Sequence, residues 1–284
     1  MNFHQKPNMF VESIFLQVQD LNRSVSFYTN ILGFKVLKTS NDGVSLSADG
    51  KTEMIILQYN EGVREREARK TGLYHFALLL PERRHLGAFL AHMIKAGFPL
   101  QGASDHLVSE AIYIADPDGN GIEVYADRPA DAWVWEEGEV EMSSLPLNAE
   151  ELLSEGIGYE WSGMPEGTTI GHIHLHVSDL KEAEKFYCRT LGYEVVNRYG
   201  SQALFLSTGG YHHHIGLNTW NGAGAPAPSG ESAGMKLFTI MLSDMDEREK
   251  VLERIRQSGA SFTLDSQRIL VHDPSGTQLA LSVK

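Results

Sequence analysis

The sequence predicts an α+β protein assembled from four copies of one strand–helix–strands unit, and three observations predict it. The segment SIFLQVQDLNRSVSFYTNILGF, starting at Ser13, returns as HIHLHVSDLKEAEKFYCRTLGY, starting at His172, which marks a duplication. LYHFALLLPE from Leu73 and KLFTIMLSDM from Lys236 are alternating stretches that run into helices. DPDGNGIEV from Asp116 answers to DPSGTQLAL from Asp273, each a tight turn feeding a closing strand.

Each element follows from local chemistry. In the first and third units the opening strand runs into an aspartate, Asp20 or Asp179, whose carboxylate can accept backbone N–H bonds at a helix start. An apolar helical stripe follows, Leu21, Val25, Tyr28 and Leu32 in one copy and Leu180, Ala183, Tyr187 and Leu191 in the other. Gly33 and Gly192 then stop the helices, glycine being the residue that most easily turns left-handed. Along the chain the units group as a first pair over residues 9–128 and a second pair over 168–284. The stretch 129–167, rich in Glu and Trp and poor in strand pattern, reads as a linker packed on the surface. The Gly/Ala/Pro/Ser loop NGAGAPAPSGESAG from Asn221 reads as a connector.

With 24 basic and 37 acidic side chains, the 284-residue chain has a net charge of -13. That balance argues against nucleic acid and other polyanionic partners. No apolar run approaches the roughly 18 residues needed to cross a membrane, and the start, MNFHQKPNMFVES, has no apolar signal segment, so a cytoplasmic protein is expected. A single cysteine, Cys188, excludes an internal disulfide and a multi-thiolate metal site, and reads as a packing or surface thiol.

Strand parity sets the faces. Ile14, Leu16 and Val18 alternate with Ser13, Phe15 and Gln17, and Ile173, Leu175 and Val177 with His172, His174 and His176. The aliphatic face packs under the helix, so the histidine face points into a cleft. The same parity puts His75 and Ala77, and Glu123 and Tyr125, on the cleft side. At the equivalent point of the four opening strands stand Ser13, His75, His172 and Leu237, and among the closing strands only the second unit has an acid there, Glu123. Two histidines and one carboxylate suit non-haem Fe(II) handling dioxygen, because one face of the octahedron stays open; Mn(II) suits the same donors. A lone strand histidine is usually structural. Joint occurrence at matching repeat positions is what points to function here.

The pattern resembles the vicinal oxygen chelate superfamily (glyoxalases, bleomycin-resistance proteins and extradiol dioxygenases), whose βαβββ modules pair into half-open barrels around a metal. Within it, GHIHLHVSDLKEAEKFY, LYHFALL and SDHLVSEAIYIADPDGNGIEVY are similar to the two-domain catechol 2,3-dioxygenases. That resemblance implies His172, His75 and Glu123 as metal ligands and Tyr113, ten residues before the glutamate, with His106 before it, as substrate-contacting residues. It also implies a histidine beside the metal in YHHHIGL. The family pattern selects His213 there, whereas parity selects His214, which shares a face with Gly216.

The layout departs from the common one, in which modules three and four hold the metal, for here the fourth has Leu237 and Ala280 at the ligand positions. Only modules two and three together complete the triad, within one chain or across a homo-oligomer. The resemblance implies an Fe(II)-dependent extradiol cleavage of catechol or a substituted catechol by O2. Two histidines and one glutamate leave Fe(II) one net positive charge, which a catechol monoanion neutralises. His213 is expected to steady and protonate the bound oxygen, Tyr113 to donate a hydrogen bond and His106 to orient a substrate hydroxyl. His174, His176 and His212 are expected to be packing or surface residues. Two alternatives are a glyoxalase-like isomerase, which would need a second carboxylate where Gly216 stands, and a non-enzymatic small-molecule binding or resistance protein of the same fold.

Overall fold

The computed structural model describes residues 2–283. Four βαβββ modules follow one another. The first comprises β1 (Phe10–Gln17), α1 (Leu21–Ser26), β2 (Lys35–Thr39), β3 (Gly43–Ser47) and β4 (Ile55–Gln58). The second comprises β5 (Gly72–Leu79), α2 (Arg83–Ala96), β6 (Gly102–Asp105), β7 (Ser109–Ala115) and β8 (Gly121–Asp127). Between the halves lie β9 (Trp135–Glu136), β10 (Glu139–Val140), β11 (Leu145–Pro146) and α3 (Ala149–Glu155). The third module is β12 (Thr169–His176), α4 (Leu180–Glu184), β13 (Glu194–Tyr199), β14 (Ala203–Ser207) and β15 (Ile215–Asn218). The fourth is β16 (Gly234–Met241), α5 (Met245–Ser258), β17 (Phe262–Asp265), β18 (Arg268–His272) and β19 (Gln278–Ser282).

Two curled sheets result. One runs β17-β18-β19-β16-β1-β4-β3-β2 and the other β11-β6-β7-β8-β5-β12-β15-β14-β13. Module one therefore joins module four through antiparallel β1 and β16, and module two joins module three through antiparallel β5 and β12. Within each module the first and last strands pair in parallel. The pairing of modules two and three, required if the three ligand-type residues are to meet, is made within one chain. Ile14, Leu16, Phe76, Leu78, Ile173, Leu175, Phe238 and Ile240 are all fully buried on the aliphatic side of the four opening strands.

Asp20 accepts from the Arg23 backbone N–H, and Asp179 from those of Lys181 and Glu182, so both capping aspartates act as their position predicts. Each capped helix then widens into a π-helical turn, Phe27–Ile31 and Lys185–Leu191, before its glycine, whose φ is +78° at Gly33 and +102° at Gly192. The buried tyrosine in each π turn reaches the other module of its own half. Tyr28 Oη donates to Asp116 at 2.9 Å and Tyr187 Oη to Asp273 at 3.0 Å. Each aspartate also accepts two backbone N–H groups of its own turn, so the DPDG and DPSG turns are latches as well as reversals.

The segment between the halves is more ordered than its composition suggests. β11 extends the nine-stranded sheet by pairing with β6. Helix α3 lies so close on α2 that a Cβ on Gly87 would overlap the Leu152 carbonyl oxygen. Arg83 ties the two together, bonding the buried Glu110 at 2.5 Å and both Glu151 and Glu155 at 3.2 Å. Trp133, Val140, Leu152 and Met164 are buried, and they account for why a stretch poor in strand pattern packs firmly.

Candidate metal centre

The first strands owe their aim to a repeated irregularity. Where β12 meets β5, the strand register skips Gly171 on one strand and Tyr74 on the other, and where β1 meets β16 it skips Glu12 and Lys236. Each bulge falls on the residue just before the ligand position of its module, immediately ahead of His172, His75, Ser13 and Leu237. A bulge bends its strand and re-aims the next side chain, so all four opening strands present that position to the concave face of their sheet. In the nine-stranded sheet this brings His174 opposite His75, His172 opposite Ala77 and Ala77 opposite Glu123.

There His75, Glu123 and His172 converge, all buried. His75 Nε2 is 3.0 Å and His172 Nε2 is 3.2 Å from the same Glu123 oxygen, and the two nitrogens are 3.3 Å apart. Donors about 2.1 Å from one ion and at right angles to each other are about 3 Å apart, so the three edges fit one face of an octahedron around a divalent ion. His172 Nδ1 is buried with no hydrogen-bond partner among the described residues. Burial holds the His172 imidazole down to about 4 against the pull of Glu123, so it is neutral near pH 7, as a metal ligand must be. For Glu123, burial pushes the carboxyl up, but the charge and hydrogen bond of His172 and the hydrogen bond of His75 outweigh it and hold it well below the ordinary range. In the other sheet the matching positions hold Ser13, whose hydroxyl donates to Thr239 at 3.0 Å, together with Leu237 and Ala280.

The triad forms the floor of a cavity of about 360 Å³ whose lining includes His106, Tyr113, Met142, Ser143, His174, Phe205, His213 and Trp220. His106 Nδ1 lies 2.7 Å from the Ser143 carbonyl, which can only accept, so that nitrogen carries the proton and Nε2 accepts from Tyr113 Oη at 2.6 Å. Burial first, and the Glu123 charge second, push the Tyr113 hydroxyl well above its ordinary value, so it remains a donor. Linker residues Met142 and Ser143 thus belong to the cavity wall, which the sequence reading of 129–167 as surface packing did not foresee.

The His213 ring lies 4.1 Å, centre to centre, from that of His172. His214 turns away, its Nε2 3.2 Å from the Phe3 carbonyl. Residues 211–214 precede β15 and make no regular strand, which is why alternation counted back from Gly216 fails there. Burial, then the neighbouring histidines, hold His213 well below the usual imidazole range. His174 sits between the rings of His75 and Trp220, 5.1 and 5.4 Å away, and Gly216 packs on it so closely that a Cβ would overlap the imidazole. His176 bonds Asn218 at 2.7 Å and His212 bonds Asp127 at 2.9 Å. All three are buried, and none is among the converging donors. Asn218 and Asp127 lie far from His176 and His212 in sequence, and no local signal announces these pairs.

A pair of curled βαβββ sheets, one bearing a buried two-histidine, one-glutamate cluster under a cavity, defines a metal-centred protein class. The glyoxalase/bleomycin resistance protein/dioxygenase superfamily matches residues 10–124 and 169–280, and the chain belongs to it. A catechol-2,3-dioxygenase of Bacillus subtilis (strain 168) is 46% identical over 262 residues, covering 91% of this chain and 92% of that protein, and this kinship puts the chain among the dioxygenase enzymes of the superfamily. A crystal structure from Bacillus subtilis subsp. subtilis str. 168 matches with a TM-score of 0.68 at 14% identity, covering 98% of this chain and 86% of that one. A Zea mays glyoxalase I mutant matches with 0.61 at 17%, covering 97% and 94%. These two likenesses concern the fold alone.

Proposed function

We propose that the chain is an Fe(II)-dependent extradiol dioxygenase that opens the ring of catechol or a substituted catechol with O2. The observation that carries this reading is the convergence of His75, Glu123 and His172 at mutual distances of 3.0 to 3.3 Å beneath a cavity. The kinship to the Bacillus catechol-2,3-dioxygenase supports it. Held by His75, Glu123 and His172, Fe(II) would supply Lewis acidity towards a catecholate and electron donation towards dioxygen.

The protein's own groups do the rest. His213 Nε2, on the cavity wall, takes a proton from a substrate hydroxyl and returns it later in turnover. Tyr113 Oη, whose one proton goes to His106 Nε2, presents a lone pair to the cavity and accepts from a substrate hydroxyl, and His106, held by the Ser143 carbonyl, fixes that orientation of the phenol. Positioned acids and bases of this kind contribute roughly 10²–10⁴-fold. Phe205, Trp220 and Met142 supply apolar walls that exclude water. The absence of a carboxylate at Gly216, where the His174 ring fills the space, supports ring cleavage over a glyoxalase-type isomerisation.

Anaerobic loading with Fe(II), followed by catechol and then air, tests the reading. A yellow ring-opened semialdehyde is expected. Iron-loaded protein that consumes no catechol, or that cleaves between the two hydroxylated carbons, would contradict it. Loading with Mn(II) in parallel shows which metal sustains turnover.

A further inference from the structure

Beside the triad, on the same concave face, runs a second polar chain that the proposed reaction does not yet use. Strand β8 carries Glu123, Tyr125 and Asp127 on one face, and Asp127 Oδ1 receives two donors from the third module, His212 Nε2 at 2.9 Å and Tyr211 Oη at 3.2 Å. On its other side His212 Nδ1 faces His213 Nδ1 at 2.9 Å. His212 is fully buried, its ring clamped by Tyr211 at 4.0 Å and Trp133 at 5.1 Å, and Tyr125 Oη lies 2.7 Å from Tyr211 Oη. The result is a linear array, Asp127–His212–His213, that ends at the cavity wall.

The proton count along this array is constrained. A carboxylate oxygen only accepts, so His212 carries its proton on Nε2. With that one proton committed, a neutral His212 has only a lone pair to offer at Nδ1. The hydrogen between the two rings must then come from His213 Nδ1, which leaves His213 Nε2 bare. That nitrogen has no hydrogen-bond partner among the described residues, and its ring lines the cavity against His172 and Phe205.

We propose that Asp127 and His212 are positioning residues that lock His213 in its Nδ1–H tautomer, so that Nε2 meets the substrate hydroxyl as an acceptor. The role rests on the extradiol reading, while the tautomer does not. It resembles in principle the way a buried carboxylate fixes a catalytic imidazole, here with a second imidazole interposed. Hydrogen-bonding partners of this type change activity by about 10- to 100-fold when removed.

The test uses full-length protein with 15N-labelled histidine, loaded with Zn(II) as a diamagnetic ion, and reads the ring nitrogens of His213, assigned by loss of its signals in His213→Phe. The expected spectrum has a protonated Nδ1 and a bare Nε2. In His212→Phe and in Asp127→Asn the preference is lost or reversed. In the iron-loaded enzyme both variants lower kcat about 10- to 100-fold with KM for catechol little changed, and His212→Phe costs nothing further in a His213→Phe background. Should His212→Phe not fold, Asp127→Asn decides alone, with Asp127→Glu as the conservative rescue. A His213 that carries its proton on Nε2 in the wild type, or an unchanged tautomer and kcat in the variants, overturns the inference. A wild type that cleaves no catechol while His213 still has the Nδ1–H tautomer would instead fault the extradiol reading.

Discussion

At the scale of single residues, the centre balances charge by burying neutral imidazoles around one carboxylate, and the price is paid in acid. His172 is held down to about 4 by burial, and His174, His213 and His214 are likewise held well below the ordinary imidazole value. Groups whose native pKa lies below the unfolded value of about 6.5 bind protons in the unfolded chain first, so they make native stability rise with pH between the two values. Glu123, held below its usual range, acts in the same direction around pH 4. The urea midpoint of metal-free protein is therefore expected to fall steadily from pH 7 to pH 5, and a flat or rising midpoint would contradict this. His75, Glu123 and His172 were legible in the sequence because ligand-type side chains stood at matching repeat positions. His212 was not, because its importance depends on Asp127, which lies 2.9 Å away only in the folded chain.

At the scale of elements, caps and stops were legible, since Asp20, Asp179, Gly33 and Gly192 act through their immediate neighbours. The bulges at Tyr74 and Gly171 and the π turns were not, because the partner strand and the turn across the module boundary impose them. The π turns carry Tyr28 and Tyr187 to their buried aspartates. Tyr28→Phe and Tyr187→Phe each leave a buried carboxylate short of a donor and are expected to cost about 1–3 kcal/mol, measured by urea unfolding. If either cost less than a few tenths, the latch would be ornamental to stability.

At the scale of the whole molecule, the two sheets each draw one module from either half of the chain. Neither half has a complete sheet, and a half made alone would leave long open edges, on β1 and β5 in the first half and on β12 and β16 in the second, each a template for aggregation. We expect residues 1–166 and 167–284, expressed separately, to be insoluble or unfolded, and to give folded protein only when produced together; two soluble, separately melting halves would contradict this. This pairing was legible in the sequence by elimination, because Ser13, Leu237 and Ala280 leave the outer modules without donors. The linker's part in the cavity was not, since the Ser143 carbonyl is a backbone group that no side-chain pattern reveals. The claim that modules two and three together build the centre is tested most directly by iron content and ring cleavage in His172→Ala, compared with the wild type after anaerobic Fe(II) loading. One iron per chain and a yellow product are predicted for the wild type, and loss of both for the variant. Stoichiometric iron with full catechol cleavage in His172→Ala would contradict it.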